Sequence, residues 1–243
     1  MKFTCEKFSL LVAILTAIRA AATKSPVSLL EGLLLEAEDE VVRITGYDLK
    51  TGIVTTVPAD VSENGGIVLN ARLFGDIIRK IPGQQVTISV NSRYVASIVS
   101  DMSEFEIIGT PSSDYPEIPI VEGDDSIEIG EVLLKKMIMQ TNFAVSDNES
   151  RLIHTGALFE AEGNDLTIVA VDGYRLAMCC ESLDNEVGQP LSFVVPGTAL
   201  SEVEKVTSDG DEKVVITLGS KHIRFSIGNT MLVSRRLEGE FLN

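Results

Sequence analysis

The sequence has 243 residues, of which 44% are hydrophobic and none is tryptophan, and its formal net charge is −16. This length accommodates one large domain or two ordinary ones, and the apolar share is sufficient for a buried core in each. Acidic residues outnumber basic ones by 36 to 20, which argues against a nucleic-acid partner unless the basic residues are clustered, because phosphate binding requires local Lys and Arg.

The cysteine and histidine content indicates neither a disulfide framework nor a metal site. Cys179 and Cys180 are adjacent, and neighbouring residues on a strand point to opposite faces, so these two are poor disulfide partners. Cys5 is distant in the sequence, no Cys-x-x-Cys motif occurs, and His154 and His222 are far apart. The pattern is typical of a reducing compartment, so we expect a cytoplasmic protein without metal or cofactor.

The N-terminal segment allows two interpretations. After a short strand at residues 1–5, residues 8–18 are apolar, follow two lysines and precede three alanines, which imitates a signal peptide. The alternative is an amphipathic helix with Ala13, Ala17 and Ala20 on its polar side. Glu6 and Arg19 interrupt the signal-peptide pattern and favour the helix. Five apolar side chains keep helical spacing: Leu10, Leu11, Ile14, Leu15 and Ile18.

The rest of the first half is predicted as strands around one helix. Asn70 is the expected N-cap of a helix that extends to residue 81, where Pro82 and Gly83 end it. Apolar-rich stretches bounded by turn residues predict strands at residues 33–37, 41–47, 52–57 (ended by Pro58), 86–90, 94–99 and 105–108.

Residues 111–126 form a predicted linker, with three prolines followed by an acidic run. A strand at residues 126–129 and a helix from about residue 130 to 143 restart the series. Pro196 is expected at the first position of a second helix, which suits a residue without an amide hydrogen. Further strands are predicted in a hairpin at residues 156–177 and at residues 192–195, 214–218, 223–227 and 231–234.

The two halves repeat each other in sequence. Seven of the seventeen positions from Gly32 to Asp48 are identical to those 124 residues later, from Gly156 to Asp172, without a gap. Residues 86, 88 and 92 recur 128 positions later. We therefore predict a duplicated α+β unit of roughly 120 residues, with domains at residues 1–120 and 121–243. Each has two helices packed on antiparallel sheets.

The repeat also bears on catalysis. Because Asp48 and Asp172 are equivalent, they lie in different domains, where they are expected to accept hydrogen bonds from turn backbone and not to share a proton. The sequence has no phosphate-binding Gly-x-x-x-x-Gly-Lys-Ser/Thr motif and no Gly-x-Ser-x-Gly motif. Both points argue against an enzyme.

Five short motifs follow one another along the chain: residues 1–4 (Met-Lys-Phe-Thr), residues 47–49 (Tyr-Asp-Leu), residues 72–82, residues 172–177 (Asp-Gly-Tyr-Arg-Leu-Ala) and residues 237–241 (Leu-Glu-Gly-Glu-Phe). Together they resemble the bacterial DNA polymerase III beta subunit, the sliding clamp, over the whole chain. The resemblance implies tandem clamp domains that encircle duplex DNA and tether the replicative polymerase without catalysing a reaction themselves. The family has three such domains, and this chain matches the first two, so we expect the third to be absent.

The resemblance implies that helices line the hole around DNA and that sheets form the outside. Basic residues on or near the helices would then contact phosphates without reading sequence. The last helix offers only one basic residue, Lys205. Leu152 and Ile153 stand where some relatives carry aromatic residues that touch DNA. We therefore expect a hole that is less basic than usual. The implied DNA-binding residues are Lys24, Arg72, Arg79, Lys80, Lys135, Lys136 and Arg151.

The resemblance also implies a pocket for short linear motifs of polymerase and clamp-loader subunits. Gly173 permits a tight chain path, Val171 and Leu176 offer apolar walls, and Arg175 is suited to orient a peptide by hydrogen bonds. His154 stands where relatives usually carry an aliphatic residue, and Leu242 stands where they often carry proline. The implied peptide-binding residues are His154, Val171, Gly173, Tyr174, Arg175, Leu176 and Leu242.

Assembly and two other protein classes stay open. Family subunits pair head to tail, first domain against third, so we expect a homodimer at full length and a monomer for these 243 residues. A two-domain clamp of the archaeal and eukaryotic kind, which closes as a trimer, fits the length and acidity, although its usual interdomain loop and C-terminal tail are not evident. A non-catalytic two-domain adaptor is the other alternative.

Overall fold

The computed structural model describes residues 1–123 and 125–241. The chain divides into two compact units, Met1–Ile118 (unit 1) and Pro119–Asn243 (unit 2). Among the helices of the described residues, none combines the length and apolarity that a bilayer crossing requires.

Unit 1 has two α-helices and a continuous antiparallel sheet. Its strands are joined in the order β9-β5-β2-β3-β4-β1-β6-β7-β8. The elements are β1 (Lys2–Glu6), α1 (Lys7–Ala17), β2 (Gly32–Glu38), β3 (Val41–Tyr47), β4 (Thr51–Glu63), β5 (Gly65–Asn70), α2 (Ala71–Lys80), β6 (Gln85–Val90), β7 (Val95–Ser100), β8 (Ser103–Ile108) and β9 (Thr110–Pro111). Side chains from both helices and most strands form one buried core, in which Phe3, Ile14 and Phe74 are nearly inaccessible.

Unit 2 also has two α-helices, but its strands form two antiparallel sheets, β13-β12-β11-β14 and β10-β15-β16-β17. The elements are β10 (Ser126–Gly130), α3 (Glu131–Thr141), β11 (Gly156–Glu162), β12 (Asp165–Val171), β13 (Leu176–Ser182), β14 (Leu191–Pro196), α4 (Gly197–Val206), β15 (Lys213–Leu218), β16 (His222–Ile227) and β17 (Thr230–Arg235).

The structure reproduces the predicted duplication element by element. β10, α3, β11 and β12 start 124 residues after β1, α1, β2 and β3, and β15 starts 128 residues after β6. The predicted α+β class, with two helices per unit on antiparallel sheet, is confirmed. Asn70 caps α2 as expected, because its side-chain oxygen accepts a hydrogen bond from the Leu73 amide at 3.0 Å.

In both units the first residue of the first helix contacts the loop that follows the second helix. Lys7 donates a hydrogen bond from Nζ to the carbonyl oxygen of Ile81. At the equivalent position, the buried carboxylate of Glu131 accepts hydrogen bonds from the amide and the hydroxyl of Ser208, both at 2.7 Å. The first residue of the first helix is therefore a cation in unit 1 and an anion in unit 2, and in both units it contacts the loop after the second helix.

The strand predictions need correction in two respects. β4 does not end at Pro58 but continues to Glu63. Pro58 lies where β4 changes partner, since it is the last residue of β4 paired with β3 and Ala59 is the first paired with β1. A residue without an amide hydrogen is tolerated at such a change of partner. Strands β5, β9 and β13 were not predicted; Gly65 and Gly66 weaken the strand pattern of β5, and β9 and β13 lie at or beyond the ends of the predicted linker and hairpin.

Two helix predictions also need correction. Ala13, Ala17 and Ala20 are buried and do not form the polar side of α1. These small side chains let α1 approach the sheet closely, since a Cβ on Gly46 would lie 2.0 Å from the Ala17 carbonyl oxygen. Pro196 stands at the N-cap of α4, one residue before the predicted position.

Candidate functional site

The turn between β12 and β13 is organised by one carboxylate. Asp172 Oδ1 accepts hydrogen bonds from the amides of Tyr174 at 2.9 Å and Arg175 at 3.0 Å, and Oδ2 accepts one from Arg175 Nε at 2.7 Å. These contacts, the Tyr174 amide first, lower the pKa of Asp172. Asp48 makes the same turn in unit 1 with the amides of Lys50 and Thr51. As predicted, both aspartates hold turn backbone.

Gly173 is required in this turn by its backbone conformation and not by lack of space. Its φ is +93°, a region that L residues rarely adopt, whereas a Cβ placed on it would meet nothing within 4 Å. Tyr174, the next residue, is fully exposed. The turn therefore projects the Tyr174 side chain into solvent, whereas the half-exposed Arg175 side chain returns to Asp172.

An apolar surface adjoins the turn. Val171 and Leu176 are directly opposite each other on β12 and β13, so their side chains lie on the same face. Val171 is almost fully buried, whereas Leu176 is 63% exposed. Met178, two residues further along β13, is also exposed on this face. A wall with a buried base and an exposed rim can receive an apolar side chain of a ligand.

His154 lies at the same end of the sheet as Val171, because it precedes β11 by two residues and β11 runs antiparallel to β12. Its side chain is buried, and its ring meets the Phe241 ring edge to face with 5.7 Å between centroids. Leu242 lies outside the described residues. The structure thus brings together five of the predicted pocket residues in one turn and places His154 at the same end of the sheet.

Phe143 is a neighbour of this site that sequence reasoning missed. The Arg175 guanidinium carbon lies 5.7 Å from the centre of the Phe143 ring, within the range of a cation–π contact. The ring is itself largely exposed. In the sequence Phe143 stands at the predicted end of a helix, and only the fold reveals its contact with a residue 32 positions away.

The predicted DNA-binding residues are exposed or half-buried, but several already have acidic partners. In unit 1, Arg72, Arg79 and Lys80 project from α2 and Lys24 lies in the loop after α1; Arg79 pairs with Asp76 at 2.8 Å. Such partners reduce the positive potential that a phosphate would meet.

In unit 2 the two lysines of α3 are both paired. Lys135 Nζ lies 2.8 Å from Asp209, and Lys136 Nζ lies 2.7 Å from Glu181, which raises the pKa of Lys136 through that hydrogen bond and charge. Arg151 is exposed and, among the described residues, has no carboxylate within 4.0 Å. Lys205 of α4 pairs with Glu202 at 2.7 Å. These pairs reduce the positive charge that the lysines of α3 and α4 present to solvent.

Two further features bear on chemistry. A cleft of about 360 Å³ lies at the start of α3, and of the predicted site residues only Lys136 lines it. Cys179 is buried with Sγ 3.1 Å from Gln140 Oε1, whereas Cys180 is exposed, so the two thiols point to opposite faces as predicted. Among the described residues, no three His, Cys, Asp or Glu side chains are grouped as a metal site.

Comparison with known proteins identifies the family. The model of the N-terminal domain of the DNA polymerase III beta subunit matches residues 1–119, and the model of its central domain matches residues 128–243. The chain belongs to the DNA polymerase III beta subunit family. The resemblance inferred from the five motifs is thereby confirmed.

Individual relatives of the family are similar over the whole chain. A protein of Staphylococcus epidermidis named Beta sliding clamp is 34% identical over 249 residues, which cover 99% of this chain and 66% of the relative. The structure of a DNA polymerase sliding clamp from Bacillus subtilis superposes with a TM-score of 0.96 at 33% identity, and that of a putative DNA polymerase III beta subunit from Eubacterium rectale with a TM-score of 0.95 at 34% identity. Both cover 100% of this chain and 66% of the other. This chain therefore spans about two thirds of the length of its family relatives.

Proposed function

We propose that this chain contributes the first two domains of a sliding clamp, a non-catalytic processivity factor of the bacterial DNA polymerase III holoenzyme. It would encircle duplex DNA and tether the replicative polymerase in the cytoplasm. The observation that carries the proposal is the match of two successive units to two successive domains of one family. Relatives similar over nearly the whole chain are named Beta sliding clamp.

The DNA contacts are assigned to the basic side chains of α2 and α3 and their neighbouring loops. A protein that slides must contact phosphate and not base edges, because base contacts would hold it at preferred sequences. Affinity should be weak, since Arg79, Lys135 and Lys136 already pair with carboxylates. It should fall with salt by roughly 0.9 in log–log slope per phosphate contacted.

Binding to a labelled duplex at several salt concentrations tests this assignment. The triple substitution Arg72→Ala, Lys135→Ala and Lys136→Ala should lower both the affinity and the salt slope. The matched control removes three exposed basic residues that have no predicted role, Lys2, Lys50 and Arg93. A preference for one base sequence, a salt-independent affinity, or equal losses in both triples would contradict the assignment.

The peptide contacts are assigned to the β12–β13 turn and the apolar face beside it. A linear motif of a polymerase or clamp-loader subunit would place an apolar side chain against Val171 and Leu176, and Arg175 would orient its backbone. Burying one such side chain contributes about 1.5–3 kcal/mol before the cost of ordering the peptide. We expect a dissociation constant on the order of 100 μM or weaker for these residues alone, about −5.5 kcal/mol.

Chemical-shift perturbation with a peptide that ends in Leu-Phe tests the pocket. Shifts should cluster at residues 173–176 and vanish in Leu176→Asp, which places a charge on the apolar wall. Met102→Asp is the matched control, because Met102 is a fully exposed apolar residue in unit 1. Shifts that cluster elsewhere, or that survive in Leu176→Asp, would contradict the assignment.

Assembly follows from the same proposal. Head-to-tail pairing would join a first domain to a third domain of another subunit, so residues 1–243 alone should be monomeric in dilute solution. Analytical ultracentrifugation should give the 26.3 kDa mass of one chain. A stable dimer retained on circular DNA would contradict this, and a mass of three chains would support the two-domain trimeric clamp instead.

A further inference from the structure

One edge of strand β10 has no partner strand in unit 2, whereas the equivalent edge in unit 1 is paired. β1 lies between β6 and β4, and residues 3–5 of β1 pair with residues 59–61 of β4. β10 starts 124 residues after β1, is the last strand of its sheet and, within the described part of the chain, pairs with β15 alone. Unit 2 therefore lacks the strand that covers this edge in unit 1.

The difference arises because β13 ends early. β4 has 13 residues, and β13, which occupies the equivalent position, has 7. The two chains still correspond at Ala59 and Leu183, whose amides donate to the turn before β3 and before β12 at 2.8 and 2.6 Å. The Val187 amide then donates to the Gly163 carbonyl oxygen at 2.8 Å, so the chain of unit 2 turns back. Residues 184–187 consequently do not continue β13 along β10.

The backbone of β10 has unpaired groups on this edge. The Glu131 amide donates to the Glu212 carbonyl oxygen at 2.9 Å, so the odd-numbered residues of the segment direct their backbone groups to β15. The backbone groups of Ser126 and Glu128 point the other way, and among the described residues they have no hydrogen-bond partner. The loop after β13 reaches Glu128 only through a side chain, that of Asn185, at 3.0 Å. An unpaired strand edge of this kind can accept a further strand.

The cleft of about 360 Å³ lies beside this edge, between the end of β10 and residues 182–184. Its apolar lining comes from two strands and the first turn of α3: Ile129, Val132, Leu133 and Leu183. Val132 is 49% exposed, so an apolar group in the cleft would cover it. In unit 1, Ala59 and Val61 of β4 pack against the core from the equivalent strand. The cleft therefore offers space for small apolar side chains of an added strand.

The charge around the cleft favours a cationic ligand. Four of its lining residues are acidic: Glu131, Asp184, Asp211 and Glu212. Lys136, which also lines it, already pairs with Glu181, and Lys213 is shared between Glu128 and Asp184. Within the described chain, Asp211 and Glu212 have no basic side chain within 4.0 Å, and both are exposed. The excess of carboxylates attracts lysine or arginine.

We propose that β10 and this cleft bind an extended basic segment of a partner protein, which joins the sheet as an additional strand. The equivalent edge of unit 1 supports a strand as the occupant, because β4 covers it there. Backbone hydrogen bonds to Ser126 and Glu128 hold the segment, and its alternate side chains point to opposite faces. Apolar side chains enter the cleft beside Val132, and basic ones lie on the other face beside Glu128 and Asp184.

This surface is separate from the proposed peptide pocket at the β12–β13 turn. That pocket lies at the first residue of β13, Leu176, and the cleft lies at its last residue, Ser182. Six residues of extended strand span about 20 Å. The two surfaces also differ in charge preference, since Arg175 stands at the turn and carboxylates line the cleft. A segment bound at β10 therefore leaves the turn accessible.

Fluorescence anisotropy with a labelled peptide of alternating lysine and valine, about eight residues long, tests the proposal. Glu128→Pro removes an outward amide but no hydrogen bond to β15, and proline is tolerated at such an edge position. It should weaken binding about tenfold relative to Glu128→Gln, the matched control that also loses the carboxylate but keeps the amide. Circular dichroism checks that both variants are folded.

A second pair of variants tests the charge without altering the strand. Asp184→Lys with Asp211→Lys reverses two exposed carboxylates of the cleft and should weaken peptide binding about fivefold. Asp60→Lys with Asp114→Lys makes the same charge change at exposed positions of unit 1 and should alter affinity less than about twofold. Leu176→Asp at the β12–β13 turn should leave binding of this peptide unchanged.

Five outcomes would overturn the proposal. Absence of binding by the unaltered chain, or equal losses in the two charge-reversed pairs, would show that the cleft does not recognise a basic segment. Equal affinities of Glu128→Pro and Glu128→Gln, or undiminished binding of a peptide N-methylated at alternate residues, would exclude strand pairing. Loss of binding in Leu176→Asp would place the peptide at the turn. Failure of the pocket at the turn, with the Glu128 difference retained, would instead contradict only the proposed function.

Discussion

The two units share one fold but differ in how their first helix meets the sheet. Gly46 in β3 lies under the end of α1, where a Cβ would come within 2.0 Å of the Ala17 carbonyl oxygen. The equivalent residues 124 positions later are Ala170 and Thr141, both fully buried, and Thr141 donates to the Met137 carbonyl oxygen. A duplicated fold therefore retains its topology while single positions set how closely its layers approach.

The largest expected effect comes from exchanging these two sheet residues. Gly46→Ala should lower the free energy of unfolding by about 3 kcal/mol, because backbone must move to admit the methyl group. The reverse change in unit 2, Ala170→Gly, should cost about 1 kcal/mol through chain entropy and a lost methyl group. Urea unfolding followed by hydrogen exchange of β3 and β12 amides distinguishes the two. Equal losses of unfolding free energy would show that α1 and α3 approach their sheets equally closely.

The helix-to-loop contact gives the next effect. Glu131→Ala should cost about 2 kcal/mol, since the Ser208 amide and hydroxyl lose a charged acceptor. Lys7→Ala should cost about 1 kcal/mol, because it removes one hydrogen bond to a carbonyl. Glu131→Gln keeps an uncharged acceptor, so its loss of unfolding free energy should lie between those of Glu131→Ala and Lys7→Ala. Thermal unfolding measures all three, and a larger loss for Lys7→Ala than for Glu131→Ala would reverse the comparison.

The equivalent turns provide a smaller effect. Leu49 has φ +73° at the position that Gly173 occupies in unit 2. Leu49→Gly should raise the free energy of unfolding by about 0.5 kcal/mol, because relief of backbone strain slightly exceeds the added entropy of the unfolded chain. Gly173→Leu should lower it by about 1 kcal/mol. If both substitutions destabilise, side-chain contacts of Leu49 outweigh its backbone conformation.

The smallest effect concerns the charge at these turns. Arg175 contacts Asp172, whereas the equivalent residue in unit 1 is Thr51. Because the pKa of Asp172 is lowered in the folded chain, its contribution is present at neutral pH and is lost as the pH falls through that lowered pKa. Arg175→Thr should raise this pKa towards the ordinary value, as measured by carboxyl NMR titration. An unchanged pKa would mean that the turn amides alone set it.

Much of the fold was predictable because duplication leaves a local signal. Identities at a fixed spacing revealed the two units, and Asp48 and Asp172 marked the same turn in each. The residues predicted to line the peptide pocket at the β12–β13 turn lie together because they are nearly contiguous in the sequence. The pairing of Lys135 with Asp209 and the contact between Arg175 and Phe143 join distant residues, so they depend on packing that the sequence pattern does not encode.

Two errors have the same physical origin. The alanines of α1 were assigned to its polar side although they are buried, because side-chain hydrophobicity alone does not reveal how closely a helix approaches a sheet. Pro58 was predicted to end a strand because proline lacks an amide hydrogen, but β4 continues and changes its partner strand at that residue. In each case the tertiary neighbour, and not the local propensity, determined the outcome.

The opposite charges of Lys7 and Glu131 affect how a duplicated chain avoids assembling its halves incorrectly. If the first helix of one unit docked against the loop of the other, Lys7 would meet the Ser208 amide, a second donor, and Glu131 would meet the Ile81 carbonyl, a second acceptor. Each mismatch costs roughly 1–3 kcal/mol for an unpaired buried group. Tandem copies of one fold are prone to exchange parts during synthesis. The reversed polarity of this contact therefore favours the docking of each helix within its own copy.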